Sequence, residues 1–266
     1  MKQGILLKME AVLRDEVGYF LNLGPDRIDI NALVGKPVSF DYRGTIHCIR
    51  CGRVTKKSFA QGYCYPCFKT APETSECVLR PELCRAHEGI SRDMQWSEQH
   101  CLQDHYVYLA LSSGLKVGVT RSSQIPTRWI DQGARKAIRL AMTPNRYLAG
   151  RIEVALKAHF SDKTNWRNML TNNIEENVDM AAEKEKAAGF LDTELSKYVI
   201  PDEQETEINY PVLQYPEKVK SIDFDKTKYL DAVLVGIKGQ YLIFEDGIVL
   251  NIRKHSGYLV AMDFSS

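Results

Sequence analysis

The sequence predicts an α+β fold that combines a small cysteine-rich ribbon, a three-stranded α/β core and a small C-terminal β-sheet or half-barrel. Three observations lead to this prediction. All seven cysteines lie between Cys48 and Cys101, apolar residues alternate at strand spacing on both sides of that region, and residues 147–160 carry apolar side chains at helical spacing. The chain has 266 residues, 44% hydrophobic and 26% charged, so it can bury one or two cores, and this excludes a largely disordered protein.

Residues 1–45 are predicted to be an N-terminal β segment. Apolar side chains alternate from Ile28 to Tyr42, and the Gly24-Pro25 and Gly35-Lys36-Pro37 runs interrupt the strands as turns. These strands could belong to the same sheet as the C-terminal strands, a pairing on which the sequence is silent.

Residues 46–105 are predicted to be a zinc-binding module. The segment has little apolar periodicity, so it cannot form a hydrophobic core of its own and needs disulfide bonds or a bound metal ion for stability. Two Cys-x2-Cys pairs are separated by twelve residues, and this spacing places four thiolates around one Zn²⁺ ion in a ribbon-like fold. The predicted ligands of this structural zinc are Cys48, Cys51, Cys64 and Cys67.

A second zinc site is predicted from the remaining cysteines. The favoured ligands are Cys77, Cys84, His87 and Cys101. The Cys84-x2-His87 run has ligand spacing, whereas His100 and His105 are alternative candidates or ordinary surface histidines. Four protein ligands leave no position for water, so both zinc ions are expected to be structural.

Residues 106–167 are predicted to form a compact α/β domain. The pattern gives a strand at 106–111, a strand at 115–120, a short helix from Pro126, a third strand at 137–142 and a helix at 147–160. The order is therefore strand, strand, helix, strand, helix.

Charge is distributed unevenly along the chain, although the formal net charge is only +1. From Lys116 to Arg167 eleven Lys and Arg residues face three acids, which gives +8, and the segment from Asn168 to Tyr229 is acidic by about the same amount. This pattern excludes a uniformly basic coat, but it predicts a phosphate-facing surface on the middle domain, with two merely solvated faces as the alternative. The predicted nucleic-acid-binding residues are Arg121, Arg135, Lys136, Arg139 and Trp166.

Two segments complete the chain. Residues 168–218 are predicted to be an acidic helical segment followed by a proline-containing linker, and residues 219–266 a C-terminal β module. Asp246-Gly247 between two apolar runs is a strong hairpin signal.

Two resemblances accompany this pattern. The Tyr106-Val-Tyr-Leu-Ala110 and Leu115-Lys-Val-Gly-Val-Thr120 runs, followed by Arg128 and Glu153, resemble the GIY-YIG nuclease domain over roughly residues 105–166. Nearly the whole chain resembles a prokaryotic zinc-binding family of unknown function (DUF 2797), through its paired Cys-x2-Cys motifs and its Lys-Val-Gly-Val-Thr-Arg and Lys-Gly-Gln-Tyr-Leu-Ile-Phe runs. The first resemblance implies a GIY-YIG-like three-stranded α/β core in the middle domain.

That resemblance also implies catalytic roles. Tyr108 matches the first motif tyrosine, with Tyr106 as the alternative, and Lys116 stands where the second tyrosine is expected. Arg128 would bind the phosphate, and Glu153 would hold a Mg²⁺ or Mn²⁺ ion. The implied catalytic residues are Tyr108, Lys116, Arg128 and Glu153. Three of them have a plain structural alternative: a core-rim aromatic for Tyr108, stacking of Arg128 on Trp129, and an ion pair of Glu153 with Lys157.

The resemblance implies a zinc-containing nucleic-acid-binding protein that cleaves phosphodiesters with a divalent metal. The alternatives are a non-catalytic nucleic-acid or ribonucleoprotein binding module, and a protein-interaction adaptor that uses the acidic helical segment. The first 17 residues mix apolar and charged side chains, which predicts no secretory signal, and no stretch is apolar enough to span a membrane. A cytoplasmic location without membrane partners is therefore expected.

Overall fold

Strands outnumber helices in the computed structural model, a mixed α+β fold as the sequence predicts. The structure describes residues 1–161, 163–175, 177–201 and 204–264; the predicted segments also include Asp162, Glu176, Asp202, Glu203, Ser265 and Ser266, which lie outside the described residues. The strands are β1 (Lys2–Ile5), β2 (Glu10–Val12), β3 (Gly18–Leu23), β4 (Asp26–Asp29), β5 (Pro37–His47), β6 (Val54–Thr55), β7 (His105–Leu111), β8 (Leu115–Arg121), β9 (Lys136–Thr143), β10 (Thr206–Glu207), β11 (Lys220–Ile222), β12 (Tyr229–Lys238), β13 (Tyr241–Phe244), β14 (Ile248–Asn251) and β15 (Tyr258–Phe264). The helices are α1 (Tyr65–Thr70), α2 (Met94–His100), α3 (Thr127–Asp131), α4 (Arg146–Leu156), α5 (Trp166–Leu170), α6 (Met180–Gly189) and α7 (Thr193–Ser196).

The chain divides into two units that do not follow the predicted segments. The first unit contains Met1–Lys69, Leu170–Asn172 and Asn209–Ser266, and the second contains Thr70–Met169 and Asn173–Ile208. The predicted N-terminal and C-terminal β segments thus share the first unit. The predicted zinc-binding module, 46–105, is divided between the units at residue 69.

The first unit is built around a large mixed sheet with the strand order β1-β15-β5-β12-β13-β14-β11, in which β6 also pairs with β5. Strand β5 lies between β15 and β12 and is antiparallel to both. A smaller antiparallel sheet, β2-β3-β4, belongs to the same unit. Phe40, Tyr42, Phe224 and Tyr258 pack their rings together behind the large sheet, which ties the N-terminal third of the unit to its C-terminal strands.

The predicted hairpin at Asp246-Gly247 is present between β13 and β14. Both residues have positive φ, +55° and +73°, as a tight turn between antiparallel strands requires. A β-carbon at position 247 would also lie 2.0 Å from the Lys218 carbonyl oxygen. Glycine is therefore needed here for its conformation and for the close approach of a neighbouring segment.

The second unit has an antiparallel sheet with the order β10-β9-β7-β8. Its central strand β7 pairs with both β8 and β9, and α3 and α4 occur in the predicted order along the chain. Apolar side chains of the sheet, including Val107 and Ile138, pack with Ile152 of α4 and Met180 of α6 in one core. The acidic helical segment, predicted as a segment of its own at 168–218, therefore contributes apolar side chains to this core.

Helix α4 begins at a capped end. The side chain of Asn145 accepts a hydrogen bond from the Leu148 N–H, which satisfies one of the free donors of the first turn. Among the described residues, no helix has the length and apolarity needed to cross a membrane.

Candidate metal centres and candidate catalytic cavity

The first group of cysteines lies where β5 ends and α1 begins. The sulfurs of Cys48, Cys51, Cys64 and Cys67 lie within 4.8 Å of one another. The first knuckle is closed by hydrogen bonds from the Cys48 N–H to the Arg53 carbonyl, 2.8 Å, and from the Gly52 N–H to the Cys48 carbonyl, 2.9 Å. Four sulfurs at this separation can hold one zinc ion, as the paired motifs predict.

Local backbone groups prepare this site for thiolates. Burial disfavours the charged form of Cys48, but hydrogen bonds from the backbone of Cys64, Cys51 and Arg50 outweigh it and lower the pKa of Cys48 to about 6. Thiolate is the form that binds metal, and N–H donors that point at sulfur stabilise it. The donor set and its surroundings therefore fit Zn²⁺.

The second group contains three cysteines. The sulfurs of Cys77, Cys84 and Cys101 lie within 4.8 Å of one another and could also hold zinc. Donation from the thiols of Cys101 and Cys84, together with the nearby Arg146, holds the pKa of Cys77 well below its usual range. Arg146 fixes the surroundings as well, because its Nη2 donates to the His100 carbonyl at 3.0 Å and its backbone N–H to the Cys101 carbonyl at 2.8 Å.

His87, the predicted fourth ligand, lies outside this group. Its ring stacks on Tyr147 with centroids 4.4 Å apart, and its Nε2 is 3.7 Å from Glu88 Oε1. The short 3₁₀ turn at 86–88 presents the ring to α4, so ligand spacing in the sequence does not become ligand geometry. His100 also lies apart from the sulfurs, because its ring stacks on Trp96 and its Nδ1 donates to the Trp96 carbonyl.

A cavity of about 140 Å³ lies beside β8, at the edge of the second unit's sheet. Three of the four predicted catalytic residues line it: Tyr108 from β7, Arg128 from α3 and Glu153 from α4. Gly118 and Lys157 also line it, and one wall is formed by Val78, Leu79 and Pro81 from the segment between Cys77 and Cys84. The cavity has room for about four or five water molecules, which is enough for one phosphoryl group.

Tyr108 is held in place by a chain of polar side chains. Its Oη accepts a hydrogen bond from Gln132 Nε2 at 2.9 Å, and Lys116 Nζ donates to Gln132 Oε1 and, at 2.7 Å, to Thr164 Oγ1. Burial raises the pKa of Tyr108, while Arg128 acts in the opposite direction and only partly offsets it. At neutral pH the Tyr108 hydroxyl therefore keeps its proton.

Lys116 does not line the cavity, unlike the other three predicted catalytic residues. It is buried, with 4% of its surface exposed, and its ammonium group is turned to Gln132 and Thr164. Gly118, its neighbour two positions along β8, is needed for close approach, because a β-carbon there would lie 2.6 Å from Tyr108 Oη. Gln132 is the functional candidate that sequence reasoning missed; its position directly after α3, four residues beyond Arg128, was the available signal.

Glu153 is almost fully buried and close to a basic side chain. Its side chain is 11% exposed, and Lys157 Nζ lies 3.6 Å from its Oε2, one helical turn away. Glu153 therefore forms the ion pair with Lys157 that was the structural alternative, and it also lines the cavity. Trp129 was the alternative stacking partner considered for Arg128. Its ring packs edge-on against Tyr108, with the ring centroids 6.0 Å apart.

Residues 35–260 match the family described as "Protein of unknown function (DUF2797)". The chain belongs to this family. The match covers both cysteine groups, the cavity and most strands of both units. Comparison of the DUF2797 chain with curated proteins and with solved structures found no match.

None of the five predicted nucleic-acid-binding residues of the DUF2797 protein is among the described residues that line the cavity. Lys136 pairs with Glu205 at 2.6 Å and Glu207 at 3.6 Å, so neighbouring acids neutralise it. Arg139 lies over the Tyr106 ring, and Trp166 receives Arg167 at 4.3 Å from its ring centroid. Arg121 is half-buried and Arg135 is exposed.

His105 supports the fold of the DUF2797 protein rather than a metal. Its Nδ1 donates to the Gln103 carbonyl at 2.7 Å, and its buried Nε2 has no hydrogen-bond partner among the described residues. Burial lowers the pKa of His105 to about 4, below the ordinary value of about 6.5 for an unfolded chain. The folded state thus binds fewer protons than the unfolded state between these two pH values.

We expect His105 to make folding pH-dependent. Its contribution is complete above about pH 6.5 and falls as the pH drops to about 4, by about 3 kcal/mol in the free energy of unfolding. Urea unfolding across this range should therefore show a steeper loss for the wild type than for His105→Asn, which cannot titrate. Acid also weakens zinc binding, but this affects both proteins equally, so it cancels when their free energies of unfolding are subtracted. Parallel pH curves would contradict the assignment.

Proposed function

We propose that this DUF2797 protein is a zinc-containing nucleic-acid-binding protein that cleaves phosphodiester bonds at the cavity of Tyr108, Arg128 and Glu153. The observation that carries the proposal is the convergence of these side chains from β7, α3 and α4 on one cavity that is large enough for a phosphoryl group. The strand, strand, helix, strand, helix order around them supports a GIY-YIG-like core. Tyr108 and Glu153, 45 positions apart in sequence, both line this cavity, which supports the proposal.

Glu153 is the residue proposed to hold a catalytic cation. Its nearly buried carboxylate is a hard oxygen ligand of the kind that Mg²⁺ and Mn²⁺ prefer, and the cavity leaves room for water and phosphate oxygens as further ligands. When bound, such a cation would neutralise the phosphate and the leaving oxygen.

The remaining side chains have roles that follow from their geometry. Arg128 lines the cavity, and its planar guanidinium group can donate hydrogen bonds to two oxygens of one phosphate. The Tyr108 hydroxyl, protonated at neutral pH and oriented by Gln132, would donate a hydrogen bond to a phosphate oxygen or orient the attacking water rather than deprotonate it. Lys116 acts at a distance, as a positioning residue for Gln132.

A second candidate function is nucleic-acid binding without cleavage. Two observations favour it: Lys157 already lies beside the Glu153 carboxylate, and Lys116 replaces the second motif tyrosine and is buried. In this case Arg128 and Lys157 would bind a phosphate, and the zinc ions would be scaffold only.

A cleavage assay on the full-length, zinc-loaded protein separates the two candidates. Labelled single-stranded, duplex and branched DNA and RNA are incubated with Mn²⁺ or Mg²⁺. We expect the wild type to cut at least one substrate and Glu153→Gln to cut at least about a hundredfold more slowly, with binding nearly unchanged. The control is Glu194→Gln, the same change at an exposed carboxylate paired with Arg151 of α4, which should cut like the wild type.

Two outcomes would count against the proposal. Binding by the wild type without cleavage of any substrate would favour the non-catalytic function. Equal cleavage by the wild type and Glu153→Gln would show that the nuclease site lies elsewhere.

A further inference from the structure

The segment around the first cysteine group contains basic side chains and no acidic residue. Between Tyr42 and Pro72 the chain has six Lys and Arg residues and no Asp or Glu. With 34 acids in 266 residues, about four acids would be expected in a stretch of this length. Arg43 forms an ion pair with Asp41. The other five are Arg50, Arg53, Lys56, Lys57 and Lys69.

These bases are exposed, and they remain in excess when zinc is counted. All five lie on the protein surface in the first unit. Four thiolates around one Zn²⁺ carry a net charge of −2, so five bases leave +3 on this small module. A surface of this sign attracts a polyanion such as the phosphate backbone of a nucleic acid.

Exposed aromatic and apolar side chains accompany these charges. Tyr65, the first residue of α1, is 56% exposed, and Val54 in β6 is 61% exposed. The Tyr65 ring packs edge-on against Phe59 at 5.4 Å, and Phe59 stacks on Phe68 at 5.7 Å. Tyr65 is thus held by an aromatic support while much of its surface stays open to solvent.

One further contact joins the charges to this aromatic group. Lys57 Nζ lies 5.5 Å from the centroid of the Phe59 ring, so a basic side chain borders the aromatic support of Tyr65. Basic side chains on the same segment as an exposed ring can bind the phosphates of a strand while the ring stacks on one of its nucleobases.

From these observations we infer that the surface formed by Arg53, Lys56, Lys57 and Tyr65 binds single-stranded nucleic acid. The Lys and Arg side chains contact successive phosphates, and the Tyr65 ring stacks on an unpaired nucleobase. An unpaired strand is favoured over a duplex because its bases are free to stack on an exposed ring. The surface consists of different residues from the cavity proposed for cleavage, and it does not require cleavage to occur.

Fluorescence anisotropy on the full-length, zinc-loaded protein tests this inference. The probes are labelled oligothymidylate and oligouridylate of about twenty nucleotides and a labelled mixed-sequence duplex, without added Mg²⁺ or Mn²⁺. The triple variant Arg53→Ala/Lys56→Ala/Lys57→Ala should bind the single strands at least about tenfold more weakly and lower the slope of log K against log salt by about two. The matched control is Lys220→Ala/Lys226→Ala/Lys228→Ala, which removes three exposed bases of the same unit and should bind like the wild type.

Tyr65 provides a second, uncharged test. Tyr65→Ala should weaken single-strand binding about tenfold, whereas Tyr65→Phe keeps the ring and should bind like the wild type. Equal loss in both triple variants, or wild-type affinity in the first one, would overturn the inference. Tighter binding of the duplex than of either strand, or no effect of Tyr65→Ala, would overturn the single-strand assignment.

The result is distinguishable from failure of the cleavage proposal. If the inference holds and the cleavage proposal fails, single strands bind through this surface and remain uncut with Mn²⁺. If the inference fails and the cleavage proposal holds, Glu153→Gln loses cleavage while the triple variant binds like the wild type.

Discussion

Replacing Cys48 by serine is expected to remove one zinc ion and to destabilise the first unit strongly. The wild type should contain about two equivalents of zinc, one in each cysteine group, and Cys48→Ser about one. A serine hydroxyl does not replace a thiolate ligand of zinc, and structural zinc contributes on the order of 10 kcal/mol to the folding of small cysteine modules. Cys48 is also buried at the end of β5, so the loss extends into the strand.

Metal analysis and thermal unfolding monitored by circular dichroism check this expectation. Cys77→Ser is the matched control, because it should remove the ion of the second group and leave the first. Two equivalents in Cys48→Ser, or a melting temperature equal to that of the wild type, would contradict the first site. One equivalent in the wild type, unchanged in Cys77→Ser, would show that three thiols do not retain a second ion.

Gly150→Ala is expected to destabilise the second unit by several kcal/mol. Alanine is the better helix former by about 1 kcal/mol, so propensity alone predicts the opposite sign. However, a β-carbon at Gly150 would lie 2.2 Å from the Glu82 backbone nitrogen and 2.4 Å from the Pro81 carbonyl carbon. Backbone cannot rotate away as a flexible side chain does, so either α4 or the turn at 81–83 must move.

The displaced turn connects two sites. It lies between Cys77 and Cys84, and Pro81 forms part of the cavity wall that faces Glu153. Gly150→Ala should therefore lower retention of the second zinc as well as the free energy of unfolding. Urea unfolding and zinc release to a chromogenic chelator measure the two effects.

Gly189 provides the control for this substitution. It ends α6, and a β-carbon there would meet nothing within 4 Å. Gly189→Ala should be neutral or stabilising by less than about 1 kcal/mol. If Gly150→Ala is as stable as Gly189→Ala and keeps its zinc, α4 and the turn are not packed as closely as described.

Local patterns predicted most individual elements. The β7–β8 hairpin, β9, α3 and α4 occur where alternation and helical spacing place them, and the Asp246-Gly247 turn has the positive φ values that its residues allow. The first four cysteines also meet as predicted. These features depend on residues close in sequence, so their signals survive in a short window.

Contacts between distant segments were not predictable in the same way. The pairing of β5 with β12 and β15 joins residues about 200 positions apart, and strand alternation does not specify a partner. Helix α6 packs into the core of the sheet formed by β7, β8 and β9. Its place there depends on which apolar face of the sheet the other helices leave exposed, and a local pattern does not contain this information.

The sequence by itself determined the globular composition, the strand and helix periodicities, the paired Cys-x2-Cys motif and the family to which the chain belongs, because each depends on composition or on short spacings. Only the tertiary structure decided that His87 faces Tyr147 rather than the three sulfurs, that Lys116 is buried against Gln132, and that Tyr108, Arg128 and Glu153 share one cavity. Side-chain direction depends on the backbone that presents it and on the neighbours that fill the remaining space. Both are properties of packing between segments, which no local pattern contains.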